Sequence, residues 1–357
     1  MSISQLLNNN HVHWMDAAGQ LESDIVISSR IRLARNLDQM PFPQLLNAES
    51  GEKCLQKIKL AWENSSDLEL KNMELLTFDQ VSELDRQILV EKHLISPYHA
   101  GSSDAFRGLL VNDDGSLAVM LNEEDHLRIQ GLLPGLQLEE CYRQVNRIDD
   151  AFEQSLNFAF DDLNGYLTSC PTNVGTGMRA SVMLHLPALS ISGQVAYIFQ
   201  NINQFGMTVR GLYGEGTEAL GNFYQLSNQV TLGQNEEDII SNLLAITRQV
   251  VENERLMRVK LSNEMKYPLE DRIGRAYGIL TNARLITSNE ALALLSDVRL
   301  GVALGVLEKI NTIVFNELVV AIGPAHLQKK VGRELDAGSR DLERAAVIKE
   351  KLLGGKA

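Results

Sequence analysis

A chain of 357 residues with 44% hydrophobic content is long enough for two domains and apolar enough to bury ordinary globular cores. Its formal charge of −13 excludes a general nucleic-acid binder, yet a local arginine cluster can still take a nucleotide, because charges beyond about 8 Å are screened at physiological salt. There is no apolar run of about 18 residues, and Met1 to Asn10 lacks the pattern of a secretion signal, so we expect a cytoplasmic protein with no membrane partner and no direct nucleic acid.

Asp24 to Leu33 alternates like a strand, with Ile31 and Leu33 on one face and Arg30 and Arg32 on the other. Asn47 to Glu63 and Asp79 to Lys92 carry helical patterns, the second with Asp79 as its expected N-cap. Leu109 to Val111 and Leu117 to Leu121 flank Asn112-Asp113-Asp114-Gly115 and read as a hairpin. Its second strand delivers the run Asn122-Glu123-Glu124-Asp125-His126-Leu127-Arg128. After Pro134-Gly135, Leu138, Cys141, Val145, Ile148 and Phe152 make the apolar stripe of a helix that should pack on a sheet. Gly165 to Leu167, Met178 to Leu186 and Met207 to Val209 read as further strands. The expected class is therefore α+β, an antiparallel sheet flanked by helices.

From Asn235 the pattern is helical, with an acidic start at Glu236-Glu237-Asp238 and periodicity to about Met265. Leu269 to Asn282, Asn289 to Leu304, Ile310 to Ile322 and Arg340 to Leu353 favour helix, separated by Pro268, Ser288, Gly323-Pro324 and Gly338-Ser339. We place the boundary between a catalytic domain, 1–260, and an all-α C-terminal domain, 261–357.

Four segments supply matching chemistry. Ser29 to Arg32, Glu123 to Arg128, Cys170 to Arg179 and Arg210 to Glu218 bring carboxylates and guanidinium groups from distant parts of the chain. Arg30, Arg32, Arg128, Arg179 and Arg210 suit the charge of a nucleotide's phosphates, and Glu124 and Glu215 suit a planar cation. Magnesium would arrive bound to the nucleotide, and no protein-held metal site is expected.

These segments resemble the guanidino (phosphagen) kinase family. Its NEEDHLR motif matches Asn122 to Arg128, with Glu124 as the catalytic carboxylate and Arg128 as a phosphate contact. The CPTNxGT segment with its following arginine matches Cys170 and Arg179, which places Cys170 beside the substrate guanidinium. The R-G-x-x-G-E loop matches Arg210 to Glu215 and marks Glu215 as the second carboxylate, and the S-R-x-R strand matches Arg30 and Arg32. The resemblance covers roughly Asp24 to Gly233 and implies ATP as phosphoryl donor. Small-guanidine kinases carry a helical domain before the S-R-x-R strand; this chain has about two dozen residues there and a C-terminal helical extension instead. That extension contains Ser339-Arg340-Asp341-Leu342-Glu343-Arg344-Ala345, which resembles the R-D-x-x-R-A motif of bacterial protein-arginine kinases. The resemblance implies a phosphoarginine-binding, activity-tuning site at Arg340, Asp341 and Arg344. It also implies protein substrates with exposed arginine, tagging for the Clp protease machinery and control of a heat-shock repressor. An activator protein is a further expected partner, and the large helical extension suggests self-association, as a dimer.

Blander readings stand beside these. Glu123-Glu124-Asp125 alone reads as a solvated acidic turn, Cys170 as a small apolar residue, His126 as a hydrogen-bonded structural side chain, and Arg340 with Arg344 as a charged helix face capped by Ser339. Cys54, Cys141 and Cys170 are too widely spaced for a disulfide framework or a zinc site. Gly214-Glu215-Gly216 and Gly175-Thr176-Gly177 imitate a dinucleotide fingerprint but lack a βαβ setting. The functional alternatives are a small-guanidine kinase and a catalytically idle phosphoarginine-binding adaptor.

Overall fold

The computed structural model describes residues 3–9, 11–211, 220–308 and 310–354. Helix α1 (Ile3–Asn8) and a 3-10 turn at His13–Met15 precede strand β1 (Val26–Arg35). Helices α2 (Ala48–Glu63) and α3 (Leu68–Lys71), strand β2 (Glu74–Thr77), and helices α4 (Glu83–Glu91) and α5 (Pro97–Ala100) follow. Strands β3 (Gly108–Val111), β4 (Leu117–Leu121) and β5 (Leu127–Pro134) form a meander that leads into α6 (Leu138–Glu153). Strands β6 (Phe160–Asp161) and β7 (Gly165–Tyr166) form a separate two-stranded sheet. Then come β8 (Met178–His185), α7 (Pro187–Ile191), α8 (Val195–Asn203), β9 (Met207–Gly211) and β10 (Phe223–Asn228). The rest is helical: α9 (Glu236–Glu264), α10 (Lys266–Asn282), α11 (Ser288–Ala303), α12 (Ile313–Ala321), α13 (Pro324–Val331) and α14 (Ala337–Gly354).

Eight strands join in one antiparallel sheet of order β2-β3-β4-β5-β1-β8-β10-β9. The fold is α+β with an antiparallel sheet, as the mixture of strands and intervening helices implied. Ile31, Leu33, Ile129, Ala180 and Val182 turn to one face, where Cys141, Val145 and Ile148 of α6 complete a buried core. Apolar residues at three- and four-residue spacing give α6 its single buried stripe. Gly131 of β5 is required by that packing, since an added Cβ would lie 2.6 Å from Val145 Cγ2 and 2.8 Å from Cys141 Sγ.

Several local readings are corrected. Ser82, not Asp79, caps α4, its hydroxyl accepting the Asp85 N–H. Asp336, not Ser339, caps α14; Ser339 sits inside the first turn and donates its N–H to Asp336 Oδ1 at 2.7 Å. Strand β5 was hidden in the sequence because Arg128, Gln130 and Gly131 interrupt its apolar pattern. Gly323-Pro324 does separate two helices, as expected, but the second is a short helix the sequence reading did not include: Pro324 begins α13, where its missing N–H costs nothing at the first helical position.

Replacing Gly131 by Ala should push β5 off α6. We expect a loss of about 1–3 kcal/mol, seen as a drop of several degrees in thermal unfolding. An unchanged melting temperature would show that Val145 and Cys141 can yield without cost.

Candidate active site

Strand register decides which side chains meet. Arg32 faces Arg179 across β1 and β8, and Gln130 across β1 and β5. Arg30 faces Ser181, Ala34 faces Arg128, and Gln225 of β10 faces Arg210 of β9. Because directly opposed residues share a face, Arg30, Arg32, Arg128, Arg179 and Arg210 all project from the face opposite α6. Five guanidinium groups are thus drawn together from four strands.

Their crowding shows in their titration. Burial, then Arg128 and Arg179, lower the Arg30 pKa to about 10. Burial, then Arg30, Arg128 and Arg179, push Arg32 well below its ordinary value, and its Nε is buried without a hydrogen-bond partner among the described residues. A like-charge cluster with an orphaned donor favours an anion. Arg30, Arg32 and Arg210 line one pocket with His93, Ser96 and Gln225. Arg30 Nη2 donates to Gln225 Oε1 at 2.9 Å, and His93, pushed down to about 4 by burial and then by Arg30, stays neutral beside it.

The acidic run closes the strand pair at one end. Asn122 takes a positive φ of 53°, which turns the chain sharply between β4 and β5. Within this turn the three carboxylates have different work. Glu123 is buried; its Oε2 accepts from Arg128 Nη1 at 2.6 Å and from the Glu124 N–H at 3.0 Å, and its Oε1 accepts from Ser96 Oγ at 2.5 Å. Burial opposes its charge, but Arg128, Ser96 and the Glu124 amide outweigh it and hold the carboxyl at about 2. Asp125 Oδ1 accepts from Asn36 Nδ2 at 2.6 Å and from the Ser169 N–H at 2.8 Å, fastening the turn to the segment before Cys170. Glu124 is the one whose carboxylate makes no hydrogen bond among the described residues. It opens into a pocket of about 450 Å³ lined by Gln44, Ser96, Tyr98, Arg128 and Ser169. Its pKa is raised, by burial above all and by Asp125 and Glu123, with Arg128 opposing.

His126 Nδ1 accepts the Leu37 N–H at 3.0 Å, and Nε2 donates to the Pro41 carbonyl at 3.0 Å. Both ring nitrogens are spent on the backbone, a structural role. Cys170 is half-buried, its Sγ 3.0 Å from Thr172 Oγ1. Glu215 lies outside the described residues. In the helical region, Arg344 is buried and donates to the carbonyls of Ile322 (3.2 Å) and Ile286 (3.0 Å) and to Asp341 Oδ1. Arg340 stands half-buried one turn earlier. Among the described residues, no grouping of three or more His, Cys, Asp or Glu could hold a metal, and no helix is long and apolar enough to cross a membrane.

Sequence reasoning underrated Glu123 and missed Ser96, His93 and Gln225. None sits in a pattern of its own; each matters through register or through the α4–α5 connection, and neither is visible in a linear chain.

An arginine-lined face with a buried donor unpartnered among the described residues, beside a carboxylate that opens into a pocket and carried on an antiparallel sheet, is an arrangement that fits a phosphotransferase of the guanidino kinase fold. Among solved structures, lombricine kinase matches with a TM-score of 0.59 at 22% identity over 71% of this chain and 77% of that one, a likeness of fold. The duplicated taurocyamine kinase from Schistosoma mansoni with transition-state analogue components matches at 27% identity over 76% of this chain and 39% of that one, TM-score 0.59. The model of the ATP:guanido phosphotransferase C-terminal catalytic domain matches residues 53–257, and that of the protein-arginine kinase McsB C-terminal domain matches residues 266–356. A protein-arginine kinase of Syntrophomonas wolfei is 65% identical over 100% of this chain and 99% of its own length. That of Symbiobacterium thermophilum is 52% identical, with 99% of each chain covered. The chain belongs to the ATP:guanido phosphotransferase family, in its protein-arginine kinase branch.

The Glu123 carboxyl lies below its usual 4.5 in the folded state, so it contributes stability that is complete above about 4.5 and is lost as pH falls toward 2. Glu123→Gln should therefore be less stable than the parent at pH 6, with the gap closing between about pH 4.5 and 2 in denaturant titrations. A gap independent of pH would remove the charged pair with Arg128 as its cause.

Proposed function

We propose that this chain transfers the terminal phosphoryl group of ATP to arginine side chains of proteins. The observation that carries this is the adjacency of two pockets, one lined by Arg30, Arg32 and Arg210 and the other by Glu124 and Arg128, which share Ser96 and Pro97. The arginine-lined pocket suits the triphosphate, with magnesium bound to the nucleotide. The Glu124 pocket suits a guanidinium. Arg128, held by Glu123, stands where the phosphoryl group would pass between them.

A guanidinium with a pKa of 12.5 to 13.8 is a poor nucleophile, and removing its proton in advance at pH 7 costs at least about 7.5 kcal/mol. Glu124 can hold the group, aim one nitrogen in line with the phosphorus, and accept the proton while the N–P bond forms and the bond to the departing ADP oxygen breaks. Its raised pKa suits a proton acceptor. Glu123 cannot share the task, since a carboxyl held at about 2 by Arg128 accepts protons poorly. We assign Glu215 as the second clamp on the guanidinium and Cys170 as a contact beside it, with Arg179 and Arg210 joining Arg30, Arg32 and Arg128 on the phosphates.

Arg340, Asp341 and Arg344 form our candidate phosphoarginine site. Arg340 and Asp341 present polar atoms at the surface of α14, and Arg344 braces them from within. In the cell we place the protein in the cytoplasm, self-associated as a dimer, responsive to an activator protein. There it would tag substrates for Clp-type proteolysis and restrain a heat-shock repressor.

Incubation with a basic protein and ATP, followed by mass spectrometry under acid-free conditions, should reveal a phosphoramidate on arginine. Phosphorylation of free arginine alone would redirect the assignment to a small-guanidine kinase. Glu124→Gln should lower turnover about a hundredfold or more, and unchanged turnover would end its role as base. Arg340→Ala should weaken phosphoarginine binding about tenfold, the loss of a charge-assisted contact, while ATP binding persists. Equal phosphoarginine affinity in parent and variant would remove the second site.

A further inference from the structure

The arginine-lined pocket does not end at Arg30. Arg30, His93 and Gln225 also line a narrower cavity of about 30 Å³ that runs on behind them. Its sides are apolar, formed by Trp14, Ile27, Leu132, Met183 and Phe223, with Ser28 and Ser181 at the end nearer Arg30. The remaining wall is different in origin. Asn316 and Val319 come from α12, within the helical region rather than the phosphotransferase domain.

We propose that α12 forms one wall of the base subsite of the nucleotide pocket, with Val319 against the purine face and Asn316 at its edge. This rests on reading the arginine-lined pocket as the triphosphate site. A nucleotide with its phosphates among those arginines must send its sugar and base toward one of the openings that adjoin them. The opening past His93 is apolar on its sides and polar at one edge, which is what a flat heteroaromatic ring requires. Asn316 is already oriented: Oδ1 accepts from Arg299 Nη1 at 2.8 Å, and Nδ2 donates to the Met15 carbonyl at 3.2 Å. One carbonyl lone pair and one N–H remain on that amide. An amide presents the acceptor and donor that adenine's N6 amine and N7 need, whereas guanine offers two acceptors, O6 and N7, on that edge.

The cavity as it stands holds about one water, so a ring enters only if the α12 wall gives way. Position along α12 is set at its far end by Arg344, whose Nε donates to the carbonyl of Ile322, the residue that ends the helix. The base subsite and the helix bearing the candidate phosphoarginine site therefore share one element.

The test uses the full chain and two variants. Val319→Trp fills the slot and should weaken ATP binding at least about tenfold, while tripolyphosphate, a probe with no base, binds within about twofold of the parent. Val319→Ala widens it, and should raise the preference for one of three enlarged donors, N6-benzyl-ATP or ATP substituted at C2 or C8, about tenfold relative to ATP in kcat/KM. Unchanged ATP affinity in a folded Val319→Trp, or a parallel loss of tripolyphosphate, overturns the proposal. Should that variant not fold, Val319→Ala decides: no gain with any enlarged donor overturns it. If the parent binds neither ATP nor tripolyphosphate, the failure lies in the nucleotide reading of the arginine pocket instead.

Discussion

Cross-strand register between β1 and its two neighbours is the constraint on which the site depends. It sets Arg32 opposite Arg179 and brings Arg30 and Arg128 onto the same face. Like charges so placed repel, and burial adds to the cost, as the lowered Arg30 and Arg32 values record. The sheet tolerates this because its other face is packed continuously against α6 and α9, and because a one-residue slip would exchange the arginines for Ile31 and Leu33. Apolar burial on one side fixes the register that crowds charge on the other. The buried Arg32 Nε, without a partner among the described residues, suits this face to an anion.

The acidic turn shows how three adjacent carboxylates avoid acting alike. Glu123 is bound to Arg128, Asp125 to Asn36 and Ser169, and Glu124 is left over between them. Each neighbour does two things at once. It fixes the backbone that aims Glu124, and its negative charge adds to burial in raising the Glu124 pKa. Glu124 is thereby held in place between two carboxylates already committed to hydrogen-bond donors. His126, spent on Leu37 and Pro41, ties the same turn to the chain that leaves β1.

What was legible in the sequence follows from this division. Periodicity of two exposed β1, and spacings of three and four exposed α6, because each element buries one face only. Motif spacing pointed to the arginines and Glu124, since their roles depend on side-chain chemistry. Strand β5 escaped because its outward residues, Arg128 and Gln130, belong to the site and break the apolar pattern. Ser96, His93 and Gln225 escaped because nothing local marks them; they reach the site only after α4 packs and β10 pairs with β9. Asp79 and Ser339 were misread as caps because several capping residues lie within one turn of each helix start, and only backbone geometry selects among them.

The helical region is joined to the sheet by polar contacts that are specific in direction. Glu91, at the end of α4, accepts the backbone N–H groups of Ala325 (2.7 Å) and His326 (3.0 Å) and bonds the His326 ring, so a carboxylate from the first domain caps the start of α13. Two residues on, His93 lines the arginine pocket. At the same junction of α12 and α13, Arg344 grips the carbonyl of Ile322, which ends α12. Arg344 spends its Nε on Ile322 and its Nη1 on Ile286 and Asp341, so an anion that drew the side chain away would break the bond that joins α14 to the end of α12. A group buried for packing can therefore report on a ligand at the surface only by releasing a structural partner, and here that partner is the helix facing Arg30 across a narrow cavity.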